Sequence, residues 1–420
     1  MTSMTAIRPV TNLLAPGQLV AGIDTHKNTH HVAIVDHLGR PIADHQFHAT
    51  GRGYAQVIDF FHAHGQVECV GIEGTGSYGA GIARELAGAG FTVVEIIRQN
   101  RQARRLRGKS DPIDAHQAAL AVLTGADTVP KTADGLVESL RILTTERRSA
   151  AKAKSQTMNQ IHALLVTAPE PVRATYRALG STKLVKTLAR TRPSGSGFLP
   201  DLVTRQTLKR LASRYLSLQD EIDEIEEQLD PLVRAVNPTL LSLSGIGLVT
   251  AAALLVAAGD NPERLTTRAT FAALAGVAPQ PASSGQRTRH RLSRGGNRQA
   301  NAALHRIVLL RRRHQEPRTM AYFDRRRAEG LTDRDIMRCL KRHVANEVYS
   351  ALLNPATESP TGRQLRIERQ RIGIPISILA ASLGVPYQRL RRLEIGTRAD
   401  PELEQQATLA LAQLKHPAAD

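Results

Sequence analysis

Tryptophan is absent from this 420-residue chain, and all aromatic residues together make up only 3% of it. The core must therefore be aliphatic and alanine-rich, and the scarcity argues against modules that stack bases on rows of aromatic side chains. Two cysteines, Cys69 and Cys339, are too few for a disulfide scaffold or a zinc finger. Long apolar runs are missing as well. The longest, Leu248 to Ala258, falls well short of a membrane span, and the N-terminus lacks the apolar run of a signal peptide. The expectation is a soluble, intracellular protein.

Negative charge is also in deficit. Fifty-six Lys and Arg face 38 Asp and Glu, which gives a net charge of +18 and a pI near 10.6. Such an excess predicts a polyanionic partner. The length predicts two to four domains, with ample core-forming material at 41% hydrophobic residues.

After an expected flexible arm at residues 1–18, the pattern reads as a three-strand meander: Leu19–Asp24, Thr29–Asp36 and Pro41–His48. A helix (Gly53–His64), a strand (Val67–Glu73), a helix (Gly79–Ala89) and a strand (Phe91–Ile97) come next. Together they predict an α/β domain with a mixed sheet over residues 19–130. Residues 131–239 read as a helical, coiled-coil middle. Its ladder of Leu208, Leu211, Tyr215, Leu218, Ile222, Ile225, Leu229, Leu232 and Val236 alternates steps of four and three after the first. That seam must be buried against another helix, in this chain or in a second copy. Oligomerisation is the favoured expectation, with Pro231 ending or kinking the helix. A further helical domain is expected over 240–353, a linker marked by Pro355, Pro360 and Gly362 over 354–362, and a small helical unit over 363–420.

Four acids stand out in the first domain. Asp24 and Glu73 end predicted strands, and Asp111 and Asp114 open a helix at Ser110-Asp-Pro-Ile-Asp-Ala-His. Carboxylates at strand ends and a helix start can converge at one sheet edge. There they would repel one another unless Mg²⁺ or Mn²⁺ sat among them. Two such ions serve phosphodiester chemistry by activating a nucleophile and stabilising a leaving oxygen. Structural roles are compatible with this. Asp111 can act as an N-cap with Pro112 at the first helical position, and Asp24 can shape a turn. Arg98, Arg101, Arg104, Arg105, Arg107 and Lys109 precede the Asp pair and could grip phosphates beside it.

The segments GIDTHKNTHHVAIVD, GIEGTGSYG and KSDPIDAHQAA resemble the DEDD motif of insertion-sequence transposases of the IS110 family, relatives of the pilin-gene inverter. The resemblance implies a RuvC-like domain of ribonuclease-H fold, with Asp24, Glu73, Asp111 and Asp114 as the catalytic, metal-holding tetrad. All four positions are intact.

In the second half, Gly245-Ile-Gly247 resembles a helix-hairpin-helix turn, whose backbone N–H groups can meet a phosphate. Further on, Ser283 and Ser284 lie in a loop followed by Arg287, Arg289, Arg291, Arg294 and Arg298. From Gln286 to Arg342 the sequence holds 17 Lys or Arg against 5 acids. By composition this is simply a cationic loop. It is also similar to the second domain of the same family, in which a serine just before Gly attacks DNA and a Gly-Asn-Arg element follows. Gly296-Asn297-Arg298 matches that element. The resemblance thus implies Ser284, directly before Gly285, as nucleophile, with Ser283 as the alternative.

Residues 364–396 resemble a Cro/repressor-type helix-turn-helix, with Ala380 at position five, Gly384 at position nine and a trailing Leu-Glu-x-Gly at Leu393–Gly396. That would direct Tyr387, Gln388, Arg389 and Arg392 towards a major groove. A helical bundle for protein contacts is the other reading.

The fold class expected is therefore α/β plus all-α. The function implied is a DNA transposase or recombinase of bacterial cytoplasm and nucleoid, working through a phosphoserine intermediate with Mg²⁺ (or Mn²⁺). Implied partners are element and target DNA, a structured bridge RNA as guide, and further copies of the chain in a dimer or tetramer. A Holliday-junction-type nuclease that uses the same acids without a serine, and a domesticated DNA-binding regulator, are the rival functions.

Overall fold

The computed structural model describes residues 15–96, 110–125, 127–132, 135–194, 199–281, 290–292, 295–355, 360–394 and 400–415. The chain divides into two compact units, residues 1–133 and 134–420.

The first unit is built on a mixed sheet in the order β3-β2-β1-β4-β5-β6. Its strands are β1 (Leu19–Thr25), β2 (Thr29–Asp36), β3 (Pro41–His48), β4 (Val67–Ile72), β5 (Thr92–Ile96) and β6 (Asp127–Thr128). β1 pairs antiparallel with β2 and parallel with β4, and β4 pairs parallel with β5. This antiparallel meander followed by parallel strands is the ribonuclease-H-like arrangement that the sequence predicts. Helices α1 (Gly51–His64) and α2 (Ala80–Gly88) cover one face, where Ile23, Val32, Ile34, Val70 and Ile72 meet Val57, Phe61, Ile82 and Leu86. Helix α3 (Asp111–Leu123) covers the other, where Val20, Val35, Cys69, Val94 and Ile96 meet Ala118, Ala119 and Val122. Because side chains alternate along a strand, a strand buried on both faces reads as a continuous apolar run. Central β1 does so over residues 19–23, Leu-Val-Ala-Gly-Ile, all of them buried.

The second unit is helical. Its frame is an antiparallel hairpin of two long helices, α4 (Leu136–Thr167) and α7 (Pro200–Val236). Between them in the chain lie the short helices α5 (Glu170–Tyr176) and α6 (Ser181–Arg190). At one end of the hairpin, Ile161 and Leu165 pack with Leu208 and Ala212. At the other, Leu140 packs with Ile225, Leu229 and Val233. Arg147 pairs with Glu226 between them (Nε to Oε1, 2.7 Å). Of the α7 seam, Leu208, Ile222, Ile225 and Leu229 are thus buried within the same chain, while Leu211, Tyr215, Leu218, Leu232 and Val236 stay half-buried. Each Leu or Ile so buried is worth about 1.5–3 kcal/mol, enough to carry the helix past Pro231, where an end or a kink was expected.

The same core continues past residue 240 into α8 (Thr239–Ser242), α9 (Leu248–Ala258), α10 (Arg268–Leu274), α11 (Arg298–Arg313), α12 (Pro317–Ala328) and α13 (Asp333–Leu353). The helical hairpin and these six helices therefore share one packed interior. A short two-stranded ribbon, β7 (Pro279–Pro281) with β8 (His290–Leu292), joins α10 to α11.

At the C-terminus, α14 (Pro360–Ile372), α15 (Ile376–Ser382), α16 (Tyr387–Glu394) and α17 (Pro401–Lys415) share a separate core of Leu365, Leu379, Leu390, Leu393, Leu403 and Leu411. Pro360 and Gly362, expected in a linker, belong to α14. A Cβ on Gly362 would lie 2.4 Å from the Leu393 carbonyl oxygen, so glycine permits that helix contact. Among the described residues no helix is long and apolar enough to cross a membrane.

Candidate active site

Two parallel strands carry the same pattern at matched register. On β1 it is Val20, Gly22, Asp24; on β4 it is Cys69, Gly71, then Glu73 just beyond the strand. Alternation directs all six towards the face that α3 covers. Gly22 and Gly71 are register partners. Having no side chains there, the strands let α3 settle directly onto the sheet, which brings the start of that helix, with Asp111 and Asp114, to the strand ends that carry Asp24 and Glu73.

The turn after Glu73 is held by two neighbours. Thr25 Oγ1 donates to the Glu73 carbonyl oxygen at 2.8 Å. Glu95 on β5 accepts from the backbone N–H groups of Gly74 (3.2 Å) and Thr75 (3.0 Å) and from the Thr75 hydroxyl. Gly74 sits at φ +78°, a conformation glycine adopts without strain. Ser110 is the N-cap position of α3, not Asp111, so Asp111 enters as the first helical residue and Asp114 lies buried one turn on. Both acids are favoured at this positive end of the helix dipole.

The electrostatics mark these acids as neighbours. Burial pushes the pKa of Asp24 up, His26 pulls it down, and the negative charges of Asp114, Asp111 and Glu73 push it up again, for a net rise. His26, brought back by the β1–β2 turn, lies 3.6 Å (Nδ1) from Asp24 Oδ2 and 4.0 Å (Nε2) from Asp111 Oδ1. Asp24 Oδ2 is buried and has no hydrogen-bond partner among the described residues.

Ligand atoms of Asp24, His26 and Asp111 all lie within 4.8 Å of one another. Oxygen ligands at about 2.1–2.6 Å on opposite sides of a divalent ion stand roughly 4–5 Å apart. The donor set therefore fits such an ion, and the orphaned Asp24 oxygen is the atom that one would satisfy. His26, Thr25 and Glu95 are site residues that motif reading passed over. The signal for His26 was its place two residues after Asp24 in a tight turn. Glu95 gave none, because only strand pairing brings it beside Gly74.

Of the remaining candidates, Ser283, Ser284, Arg287, Arg289 and Arg294 lie outside the described residues, as do Arg98, Arg101, Arg104, Arg105, Arg107 and Lys109. Arg291 is in β8. Gly245 (φ +77°) forms the turn between α8 and α9, and Gly247 is the N-cap position of α9. That turn is pinned from behind by buried Arg311, which donates to the Ser244 carbonyl oxygen at 2.8 Å. Asn297 spends its side-chain oxygen capping α11, accepting from the N–H groups of Gln299 (2.9 Å) and Ala300 (3.0 Å). Arg298 is exposed at the start of that helix. On α16, Gln388 and Arg392 are exposed, while Arg389 is engaged with Asp400 at 2.8 Å.

Comparison with known proteins bears on both halves. A DEDD-type IS110 transposase profile matches residues 21–168, a span containing all four acids. A second profile, described as the transposase IS116/IS110/IS902 family, matches residues 237–324, a span containing Ser284. The chain belongs to the IS110/IS116/IS902 transposase family. Among its relatives, a 43.6 kDa protein of insertion element IS110 from Streptomyces coelicolor is 33% identical over 145 residues, 34% of this chain and 35% of that protein. A 42 kDa protein of insertion element IS900 from Mycobacterium paratuberculosis is 27% identical over 154 residues, 36% of this chain and 38% of that protein. The matches thus span little more than a third of either relative. The candidate mini-circle transposase for IS117 from Streptomyces coelicolor is 24% identical over 393 residues, covering 79% of this chain and 92% of that protein. Of the four acids named by motif in this IS110-family chain, Asp24 and Asp111 share a donor cluster with His26, while Glu73 and Asp114 bear on Asp24 through their charge.

Proposed function

We propose that the chain is a DNA transposase that cuts and rejoins the strands of an insertion sequence through a phosphoserine intermediate. The observation that carries the reading is the buried Oδ2 of Asp24, which has no hydrogen-bond partner among the described residues and is set where Asp111, Asp114 and Glu73 all act on its charge. Asp24, Glu73, Asp111 and Asp114 would hold Mg²⁺ or Mn²⁺, and such an ion, when bound, supplies positive charge to the scissile phosphate and the departing oxygen. The hydroxyl of Ser284 attacks phosphorus, the bond to the 3′ oxygen breaks, and the 3′ end leaves as a hydroxyl. The phosphodiester is kept as a serine ester, so a 3′ hydroxyl of another strand can reverse the step without a high-energy cofactor.

The surplus of positive charge supports nucleic acid as partner, with DNA as substrate and a structured bridge RNA as guide whose base pairing supplies specificity. The C-terminal module is proposed to grip DNA through α16, with Gln388 and Arg392 presented and Arg389 oriented by Asp400. A homo-oligomer, dimer or tetramer, is proposed to form through the long helices α4 and α7, where Leu211, Tyr215 and Leu218 of the seam are only half-buried.

The test is to incubate the full chain with Mg²⁺, the noncoding transcript beside its gene and DNA carrying the element's junction, then to denature. A covalent protein–DNA adduct is expected, absent in both Ser284→Ala and Asp24→Asn. Strand cleavage retained by Ser284→Ala would transfer the attack to water and make the protein a nuclease of the junction-resolving kind.

A further inference from the structure

The second unit contains a cavity of about 390 Å³ that none of the chemistry above uses. Arg338, Lys341 and Arg342 of α13 line it together with Asp335, Cys339 and His343 of the same helix, Tyr322 of α12 and the segment Gly276–Pro279. Positions 338, 341 and 342 are separated by three and four residues, so one face of α13 presents all three cations. One of them is compensated: Arg338 Nη1 donates to Asp335 Oδ1 at 2.9 Å. The other two find only neutral oxygens among the described residues. Arg342 donates to the Arg268 carbonyl oxygen (2.8 Å), and Lys341 donates to Asn301 Oδ1 (3.1 Å).

Asn301 is itself fixed, because its amide donates to the carbonyl oxygens of Ala275 (2.9 Å) and Gly276 (3.0 Å). The Lys341 ammonium is therefore held at one donor position while two others stay available. A half-buried cation without a counter-charge is costly, and an anion in the cavity would relieve that cost. Burial, together with Arg338, pushes the Lys341 pKa down, as expected for an ammonium short of negative neighbours. Val277, Pro279 and the Tyr322 ring provide apolar lining beside the cationic side.

We propose that this cavity seats one phosphodiester of a single DNA strand, gripped by Lys341 and Arg342, with the attached sugar and base against Val277, Pro279 and Tyr322. Its role rests on the reading of Ser284 as nucleophile. Ser284 follows Pro281, the last residue of β7, by three residues, which limits their separation to about 11 Å. A strand anchored in the cavity is thereby presented within a few nucleotides of that serine.

The experiment has two measurements on the full chain. In the first, a 5′-fluorescein single-stranded DNA of about twelve nucleotides, and an RNA of the same sequence, are titrated across a series of KCl concentrations. K341Q and R342Q should each weaken DNA binding about five- to tenfold and lower the salt slope by about one. K341R should restore most of the loss, and R210Q, an equal loss of charge on α7, should stay within twofold of the unsubstituted protein. In the second, Lys341 is acetylated with an N-hydroxysuccinimide ester and quantified by mass spectrometry, and DNA should protect it at least fivefold. K341Q binding DNA as the unsubstituted protein does, R210Q losing as much as K341Q, a loss confined to RNA, or no protection of Lys341 would each overturn the proposal. K341Q weakening DNA binding while the unsubstituted chain forms no serine adduct would sink the serine reading and leave the cavity standing. Normal DNA binding by K341Q beside a normal adduct would do the reverse.

Discussion

Gly22 and Gly71 are register partners on the parallel strands β1 and β4, and α3 occupies the volume their side chains would need. A Cβ on Gly22 would lie 2.2 Å from both the Ala115 carbonyl oxygen and the Ala119 nitrogen. One on Gly71 would lie 2.6 Å from Val122 Cγ2. The spacing of helix from sheet, and with it the meeting of Asp24 with Asp111 and Asp114, depends on two missing methyl groups.

Gly22→Ala is therefore expected to lift α3 off the sheet. Overpacking against backbone atoms should cost about 3 kcal/mol and weaken Mn²⁺ binding, because two of the acids ride on α3. Thermal melting and calorimetric titration with Mn²⁺ check this. Gly51→Ala, where a Cβ meets nothing within 4 Å, should leave both unchanged.

Asp24→Asn should separate stability from function. The raised pKa of Asp24 means that its ionised form is disfavoured in the folded state, so this residue's contribution to stability is greatest at low pH and is lost as pH rises through its folded pKa. A neutral amide removes that penalty at pH 7. In EDTA the variant should melt at or above the temperature of the unsubstituted chain, while metal-dependent strand cleavage falls more than about 100-fold. A variant that melts much lower would assign Asp24 to the scaffold.

Leu229→Asp tests where the α7 seam is buried. Leu229 is fully buried in the core shared with Leu140 of the same chain. A carboxylate there should cost about 4 kcal/mol and abolish helical structure in the second unit, read by circular dichroism. A fully folded variant changed only in oligomeric state would move the seam to an interface between copies.

In the C-terminal module, Arg369 and Glu394 form a buried bidentate pair (Nε to Oε1, 2.6 Å; Nη2 to Oε2, 2.9 Å), and Arg369 also donates to the Ile374 carbonyl oxygen. Arg369→Met alone should destabilise the module by about 3–5 kcal/mol by stranding Glu394, and adding Glu394→Leu should recover most of that. Hydrogen exchange of the Leu390 and Leu393 amides reports it.

Glu316 caps α12, accepting from the Thr319 N–H at 2.7 Å. Burial raises its pKa, but hydrogen bonds from Thr319 and Arg318 outweigh this and leave it below the usual glutamate value. Its contribution is complete above the unfolded-state pKa and is lost as pH falls through the lower folded one. Glu316→Ala should thus lower stability by about 1 kcal/mol at pH 7. The gap should narrow below about pH 4, as melting curves across that range would record.

The four acids were assigned together by their resemblance to the DEDD motif. Local pattern was enough for the alternating strands of the first unit, the helix opening at Ser110 and the apolar ladder of α7. Each rests on a periodicity of two or 3.6, or on a cap, and these are written within a few consecutive residues. The same locality explains what the sequence left open. A ladder of leucines specifies that a helix needs a partner, but which helix answers is decided by the antiparallel return of α4, about seventy residues earlier in the chain. Glu95 at the Glu73 turn, Arg311 behind the Gly245 turn and Asn301 behind Lys341 are likewise products of packing. Their partners are distant in sequence, so no spacing rule announces them. Chemistry in short motifs belongs to the chain itself. Which groups share a dry pocket belongs to the way sheets and helices close on one another, because burial and charge coupling exist only between surfaces that the fold has brought together.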